Sequence, residues 1–549
     1  MIKGKLVSVL ITLILLTVNS VVCQEALKKS VTKLAEPSKI SSAIRSSIPM
    51  ILVPMSKGAE RIVEEIYRRM IINVTVILRR DTENTSYVVH RLEGLGFNIT
   101  ASLGRIIEGS VSAAVLLHEG KRLEEIKEIA VIYPQFLPRK DALPNSKVML
   151  PFSFPHFKGE GKIGIIDTGF ERYELANFFK ECEYEVWRVV SGIQTYRLIP
   201  KNYGADGMHG ASVAYPLCRE GAKLYLISAS TINDIYWAYY ALAYDFSVDI
   251  IVSSLSLLPV HDFMDERSDW AQLARKIVDK EGISIVKSVG NDGLSHYYKV
   301  YNDTDGDGLH NFGPDDNTLE IELPYGGHMM IILNYDEWDV YYGKKDPNAA
   351  TDLDLYLYKV DPVTKELSWW PIGVSEDYIN VTLHPIEIIE VSLDPGTYAI
   401  QVAAYKMVKR PAFHIWIFSD EPVNLEYLSP ERSISSTVAA VNGVIAVGAI
   451  DPDTLELRPY SSRGPTGDGR VKPDLVAPDC YYSPITGERF CGTSASAPLL
   501  ASIILEKNST LCWCDEWGKL PNSDYGYGLL VSGNKCPSTM KPVSTFSEK

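Results

Sequence analysis

The chain has 549 residues, of which 46% are hydrophobic and 22% charged. That length exceeds one ordinary domain and that composition belongs to a folded globular protein, so a mostly disordered chain is excluded. The formal charge of −15 excludes a general nucleic-acid coat, because the phosphate backbone selects a basic footprint.

Lys3 and Lys5 precede a short apolar run, Leu6 to Val18. This pattern predicts a signal peptide over 1–23, with cleavage between Ser20 and Gln24; an uncleaved anchor is the other reading of the same run. No later segment is apolar enough to span a bilayer. A secreted protein, extracellular or held at the cell surface, is therefore expected. Residues 24–145 carry a net charge of +4 and residues 146–549 a net −21. A basic leader thus precedes an acidic body, and opposite charges favour their association.

Met70–Leu78 is a β-rich run and Ser86–Leu95 has helical spacing. Strand-like runs follow at Ile99–Ile107 and Ser112–Leu117, then a charged helix at Lys121–Glu128 and a strand at Ile129–Tyr133. The order β-α-β-β-α-β predicts a ferredoxin-like α+β unit with its core over 70–135, inside a leader of 24–145. Pro134, Pro138 and Pro144 mark a linker.

From Gly161 to about Asn291, strands and helices alternate: a strand at Asp249–Ser253, a helix at Trp270–Glu281, a strand at Ile283–Val289. Continuous apolar strands between helices predict an α/β unit, a parallel sheet covered by helices on both faces, over 146–300 and again over 428–536. The intervening residues 301–427 read as strands, turns and acids, and 303–426 carry a net −16. Asp352–Tyr358 alternates with period two, as a half-buried strand does, and Asp394-Pro-Gly-Thr-Tyr398 turns into a strand at Ala399–Ala404. An all-β sandwich inserted into the α/β unit is expected here, and a disordered tail at 537–549. Of eight cysteines, seven remain if Cys23 leaves with the signal. Three disulfides are then the maximum, with Cys480 and Cys491, which close a short loop, the leading pair.

Three short segments carry the chemistry. Ile165-Ile-Asp-Thr-Gly169 ends a buried strand in an aspartate. Gly207-Met-His-Gly-Ala211 puts a histidine at a helix start. Gly492-Thr-Ser-Ala-Ser-Ala-Pro498 puts a serine between a glycine and a helix with an early proline. Nucleophilic acyl transfer needs such a set: a hydroxyl, a base for its proton, and a carboxylate that orients the base. The chain order is Asp, His, Ser.

With these motifs the chain resembles the subtilisin-like serine proteases, or subtilases. The resemblance covers about 150–300 and 428–535, and Tyr460-Ser-Ser-Arg-Gly-Pro465 with Lys472-Pro-Asp-Leu-Val-Ala-Pro478 extends it. It implies that Ser494 attacks the scissile carbonyl, His209 is general base and then acid, and Asp167 holds the imidazole. Ser288-Val-Gly-Asn291-Asp-Gly293 matches the family's oxyanion segment, so Asn291 is expected to donate to the oxyanion. Ser254, Leu255, Ser256 and Gly290 are the implied substrate-binding residues. The leader resembles the family's inhibitory propeptide, which the protease itself cuts away, here between Gln135 and Leu150. The implied partners are protein or peptide substrates and the chain's own propeptide, with no nucleic acid. An inactive scaffold that binds, and a narrow processing or exo-acting peptidase, are the rival readings.

Four residues depart from the family pattern. Ala211 and Ser212 follow His209-Gly210 where Thr-His is usual, Ser256 replaces a glycine, and Lys287 stands where small apolar residues are usual. No cofactor is expected for catalysis. Asp303-Thr-Asp-Gly-Asp-Gly308 fits the start of a calcium loop, with ligands at Asp303, Asp305 and Asp307. Position 12 is Pro314, which leaves Asp315 or Asp316 as substitutes and a plain solvated turn as the alternative.

Overall fold

The computed structural model describes residues 38–48, 65–79, 82, 84–140, 161–170, 172–200, 208–506 and 509–542. The expected signal segment 1–23 lies outside them, as does residue 141 onward to 160, where most of the expected leader junction falls. No helix among the described residues is long and apolar enough to cross a membrane.

The strand Gly161–Asp167 is apolar on both sides, and both sides are covered. It belongs to a sheet in which Glu183–Gly192, Ala222–Ser228, Gly161–Asp167, Ile250–Ser253, Ser284–Ser288, Ile445–Ile450 and Leu475–Pro478 lie side by side in that order. All of these neighbours run parallel. Further strands extend both edges to 11 in all. Successive side chains point to opposite faces. Ile166, Ile227 and Ile251 therefore meet the helices Ile232–Tyr244 and Asp269–Lys276 on one face. Ile165, Leu226 and Val252 meet His209–Ala214 and Thr493–Ile504 on the other. Of these seven parallel strands, the first in sequence, Gly161–Asp167, sits between the third and the fourth, so the winding direction reverses there. Ligands of open α/β sheets bind outside the carboxyl ends at such a reversal.

The leader forms a separate four-stranded antiparallel sheet. Ile71–Leu78 lies between Ile106–Ser112 and Ile129–Pro134, and Asn98–Leu103 is the outer strand beside Ile106–Ser112. The run Ser112–Leu117, expected as a strand, is instead the helix Ala113–His118. Ser112 ends its strand and its side chain accepts from the Val115 N–H, which caps the helix. The next helix is Gly120–Glu124, shorter than the expected 121–128.

Between the strands Ser284–Ser288 and Ile445–Ile450 the chain builds two antiparallel sheets. In one, Gly327–Tyr335 runs between Ile386–Leu393 and Ala412–Ser419. In the other, Gly396–Lys406 runs between Asp352–Lys359 and Leu319–Leu323. Ile331, Leu333 and Ile415 of the first share a core with Leu355, Ile400 and Leu319 of the second. The expectation that the strand at Asp352–Tyr358 is half-buried is corrected: Asp352 and Asp354 are buried as well. Burial pushes the Asp354 carboxyl up to about 8 and that of Asp352 to about 6, with neighbouring acids adding to the effect on Asp354.

The leader touches both other units. Its short helix Ser42–Ser47 presents the Ser42 N–H and hydroxyl to Asp377 Oδ1, both at 2.7 Å, and Arg45 reaches the same oxygen at 3.1 Å. The Tyr133 hydroxyl lies 2.9 Å from His384 Nδ1. Asn233 of the helix Ile232–Tyr244 donates to Glu108 Oε2 at 3.0 Å.

Three disulfides join Cys182 to Cys218, Cys480 to Cys491 and Cys512 to Cys536, while Cys514 is a buried thiol. The expected disorder from 537 onward does not hold for 537–542. Lys541 and Pro542 pair with Trp513 and Cys512, and Met540 is buried beside the Cys512–Cys536 bridge. Residues 543–549 lie outside the described ones.

Burial raises the Glu108 carboxyl to about 7. A hydrogen bond from Thr231 opposes that shift and the negative charge of Asp234 adds to it. The fold therefore holds the Glu108 proton more tightly than the unfolded chain does, and stability falls as pH rises from about 4.5 through 7. Glu108→Gln, which keeps an acceptor for Asn233, is expected to match the wild type at pH 4 and exceed its thermal midpoint at pH 8. Thermal unfolding across that range checks the sign.

Candidate active site

Asp167 is the last residue of its strand, at the carboxyl edge of the sheet. Its Oδ1 accepts from the Thr168 N–H at 2.7 Å and lies 2.6 Å from His209 Nδ1. His209 opens the helix His209–Ala214, which is seated directly on the turn after Asp167. The Gly210 N–H donates to the Thr168 carbonyl at 2.7 Å. A Cβ at Gly210 would stand 2.5 Å from that carbonyl oxygen and 2.7 Å from Phe170 Cζ, so the approach requires glycine. With Nδ1–H given to the carboxylate, His209 Nε2 is the acceptor, and it lies 3.2 Å from Ser494 Oγ.

Ser494 is the second residue of the helix Thr493–Ile504, whose cap is Gly492 at φ +106°. Asp479, itself buried, fixes that cap: its carboxylate accepts from the Gly492 N–H at 3.1 Å, from Arg458 Nε at 2.8 Å and from the Tyr460 hydroxyl. The first N–H groups of a helix have no partner within it and carry its positive end. The Ser494 N–H is one of these, beside its own hydroxyl. Ser494 is 0% exposed, and its hydroxyl also lies 3.3 Å from the Ser254 carbonyl oxygen.

Asn291 is held against the same helix start. Its Oδ1 accepts from both the Thr493 N–H and the Thr493 hydroxyl, each at 3.0 Å. A backbone N–H can only donate, so the amide orientation is fixed: oxygen toward Thr493, the Nδ2 donor turned away from it. The Gly290 N–H in turn donates to Thr493 Oγ1 at 3.3 Å. Gly290 has φ +113°, and a Cβ there would lie 2.9 Å from Ser462 Oγ.

Leu255 and Ser256 form a two-residue edge strand, and a chain segment already lies along it. Lys140 and Arg139, just past the leader sheet, pair with Leu255 and Ser256 in antiparallel register. The Arg139 guanidinium makes two bonds to Asp292, at 2.7 and 2.9 Å, and sits 4.2 Å over the Phe418 ring. Ser435 Oγ donates to the same Asp292 carboxylate at 2.5 Å. Asp292, Phe418, Ser435 and Asp479 were not foreseen from sequence. Asp292 reads as part of an Asn-Asp-Gly turn, and Phe418 and Ser435 come from distant segments. Asp479 had one signal, its place directly after the Val-Ala-Pro478 segment.

Asp303, Asp305 and Asp307 are gathered, with one oxygen of each within 4.8 Å of the others. They sit in the loop before the strand Leu319–Leu323, in the two-sheet unit. Asp303 accepts from the Gly306 and Gly308 N–H groups, and Asp307 from the Leu309 N–H and Asn317. Asp316 is engaged elsewhere, by Thr318 and the Tyr427 hydroxyl.

The Asp–His–Ser arrangement is the one that serine proteases use. Residues 350–511 match the model of the subtilase family. The matched stretch holds Ser494, while Asp167, His209 and Asn291 come to it from outside. Similar solved structures include the CspB protease of Clostridium perfringens, 16% identical over 67% of this chain and 92% of that one, with a TM-score of 0.46. Another is the epidermin leader peptide processing serine protease EpiP of Staphylococcus aureus, 12% identical over 84% and 97%, with a TM-score of 0.40.

Replacing Asn291 with alanine removes the amide and leaves the Thr493 donors without their acceptor. The expected result is a kcat lower by about 10²–10³-fold with KM nearly kept. Steady-state kinetics on one peptide substrate check this, and an unchanged kcat excludes the role.

Proposed function

We propose that the protein is a secreted serine endopeptidase, made as a precursor that removes its own leader. The observation that carries this reading is the imidazole of His209, bonded to Asp167 on one side and to Ser494 on the other. In the first step His209 Nε2 takes the Ser494 proton as Oγ adds to the scissile carbonyl. The oxyanion that forms is held by the Ser494 N–H and Asn291 Nδ2. His209 then gives the proton to the leaving amine, and an acyl-enzyme remains on Ser494. Water, activated by the same Nε2, releases the acid and restores the hydroxyl. Asp167 keeps the proton on Nδ1 and stabilises the imidazolium.

The position of Arg139 and Lys140 supports the self-processing part. They pair with Leu255–Ser256, next to the Ser254 carbonyl that touches Ser494 Oγ, as a substrate strand would. The leader then blocks its own enzyme until the chain beyond it is cut. The basic run at the start of the sequence supports export. The gathered carboxylates of Asp303, Asp305 and Asp307 are hard oxygen donors of the kind that calcium takes. Calcium there stabilises the two-sheet unit.

The reading is tested on intact mass and N-terminus of the wild type and Ser494→Ala, each treated with a fluorophosphonate. The wild type is expected to lose its leader and gain one label; the variant is expected to do neither. A wild type that stays unlabelled after another protease has removed the leader is a binding scaffold instead. For calcium, millimolar ion is expected to raise the thermal midpoint of the wild type and not that of Asp305→Asn. An equal response in both rejects the loop as the site.

A further inference from the structure

A stretch of the chain itself occupies the edge strand beside Ser494, and it shows what that edge can hold. Arg139 pairs with Ser256 and Lys140 with Leu255 in antiparallel register. The paired chain therefore runs from Arg139 toward Ser254, whose carbonyl lies 3.3 Å from Ser494 Oγ. A substrate strand laid in the same way carries the residue opposite Ser256 on the acyl side of the bond that Ser494 attacks. The edge is fixed from within the sheet, where the buried Lys287 ammonium reaches Ser256 Oγ at 3.5 Å.

The Arg139 side chain ends in a built site. Its guanidinium meets both carboxylate oxygens of Asp292, Nη1 to Oδ1 at 2.7 Å and Nη2 to Oδ2 at 2.9 Å. This forked contact is open to an arginine and not to a lysine. Asp292 is 1% exposed, whereas the Arg139 side chain is 25% exposed, so the guanidinium enters from a side that is open to water. Ser435, itself buried, donates to Asp292 Oδ2 at 2.5 Å and accepts from Arg139 Nη2 at 3.5 Å. The Phe418 ring lies 4.2 Å from the guanidinium carbon. Phe418 comes from the two-sheet unit, and its strand is tied to the Asp292 turn: the Ile417 N–H donates to the Ser295 carbonyl at 2.9 Å, and the Ser295 N–H to the Asp292 carbonyl at 3.1 Å. A ring of the inserted unit thus completes a site whose carboxylate belongs to the catalytic unit.

Among the described residues the Asp292 carboxylate has two partners, Arg139 and Ser435. Without the leader strand it keeps one hydroxyl and no counter-charge. A recessed carboxylate left in that state favours any guanidinium that restores the pair.

We propose that Asp292, Phe418 and Ser435 form a substrate subsite that selects arginine on the acyl side of the cut. The inference rests on the protease reading above and names its substrate class. The residue opposite Ser254 is the one whose carbonyl is attacked, so the selected arginine is the third residue before the bond. Asp292 supplies the charge and both acceptors, and Phe418 supplies a cation–π face. Ser435 is a positioning residue for the carboxylate.

The test uses enzyme freed of its leader and a pair of peptides that differ only in arginine against citrulline, its neutral isostere, at the third residue before the cut. The ratio of kcat/KM within the pair is independent of how much of a preparation is folded. In the wild type the ratio is expected to favour arginine by at least about thirtyfold. In Asp292→Asn, which keeps an acceptor for Ser435, it is expected to fall to about one. In Phe418→Leu, which removes the ring and keeps the carboxylate, it is expected to drop by about threefold. A wild-type ratio within about threefold of one overturns the proposal, as does a preference that survives Asp292→Asn; the pair then serves only to hold the leader. If such an enzyme still takes the fluorophosphonate and digests denatured protein, the protease reading stands and the selectivity alone fails. A chain that takes no label and cuts no peptide overturns both.

Discussion

Two hydrogen bonds to one imidazole tie together residues 42 and 285 positions apart, and the rest of the structure is arranged so that these bonds form. His209 can bridge Asp167 and Ser494 only if a strand end and two helix starts meet at one edge of the sheet. Parallel pairing achieves this, because it sends all carboxyl ends to the same side. The bridge is also why small residues surround it. Gly210 lets one helix start rest on the turn after Asp167, and Gly492 lets the other begin directly at the nucleophile.

The supports around the bridge are charged or polar groups wholly or partly taken out of water, and each is tied to more than one donor. Asp479 serves the Gly492 cap, Arg458 and Tyr460 at once. Asn291 uses its carbonyl on Thr493, which turns its Nδ2 donor away from the helix start. Asp292 spends its carboxylate on Arg139 and Ser435. Buried groups of this kind are stable only when satisfied, so removal of any one partner exposes an uncompensated charge or donor. Geometry at the site is held by that penalty as much as by packing.

Much of this was legible from residues alone, and the limits are instructive. Asp167, His209 and Ser494 sit in short motifs whose glycines mark turns, so their order along the chain was enough to suggest their meeting. Lys287 and Ser256 were visible as oddities, but their relation needs the pairing of Ser253 with Lys287, which no local pattern states. The run Ser112–Leu117 was misjudged because a short apolar stretch fits strand and helix alike, and the Ser112 cap decided it. Asp352 and Asp354 alternate with leucines as a solvated face would. In the folded chain that face is buried, near the Asp377 that the leader helix grips.

The two-sheet unit is spliced between strands that are hydrogen-bonded neighbours, with Val286 paired to Ile445. Its two ends therefore leave and rejoin the sheet at one place. For a long excursion between fixed ends, the entropy of closure grows only with the logarithm of its length. The unit is free to vary in size or content at almost no cost to the sheet, provided it folds on itself. Synthesis runs the other way: Ile445 and Ser494 leave the ribosome only after the whole unit has. The nucleophile is thus the last of the reacting groups to join the others, and a nascent chain stopped anywhere inside the unit holds an aspartate and a histidine with nothing yet to activate.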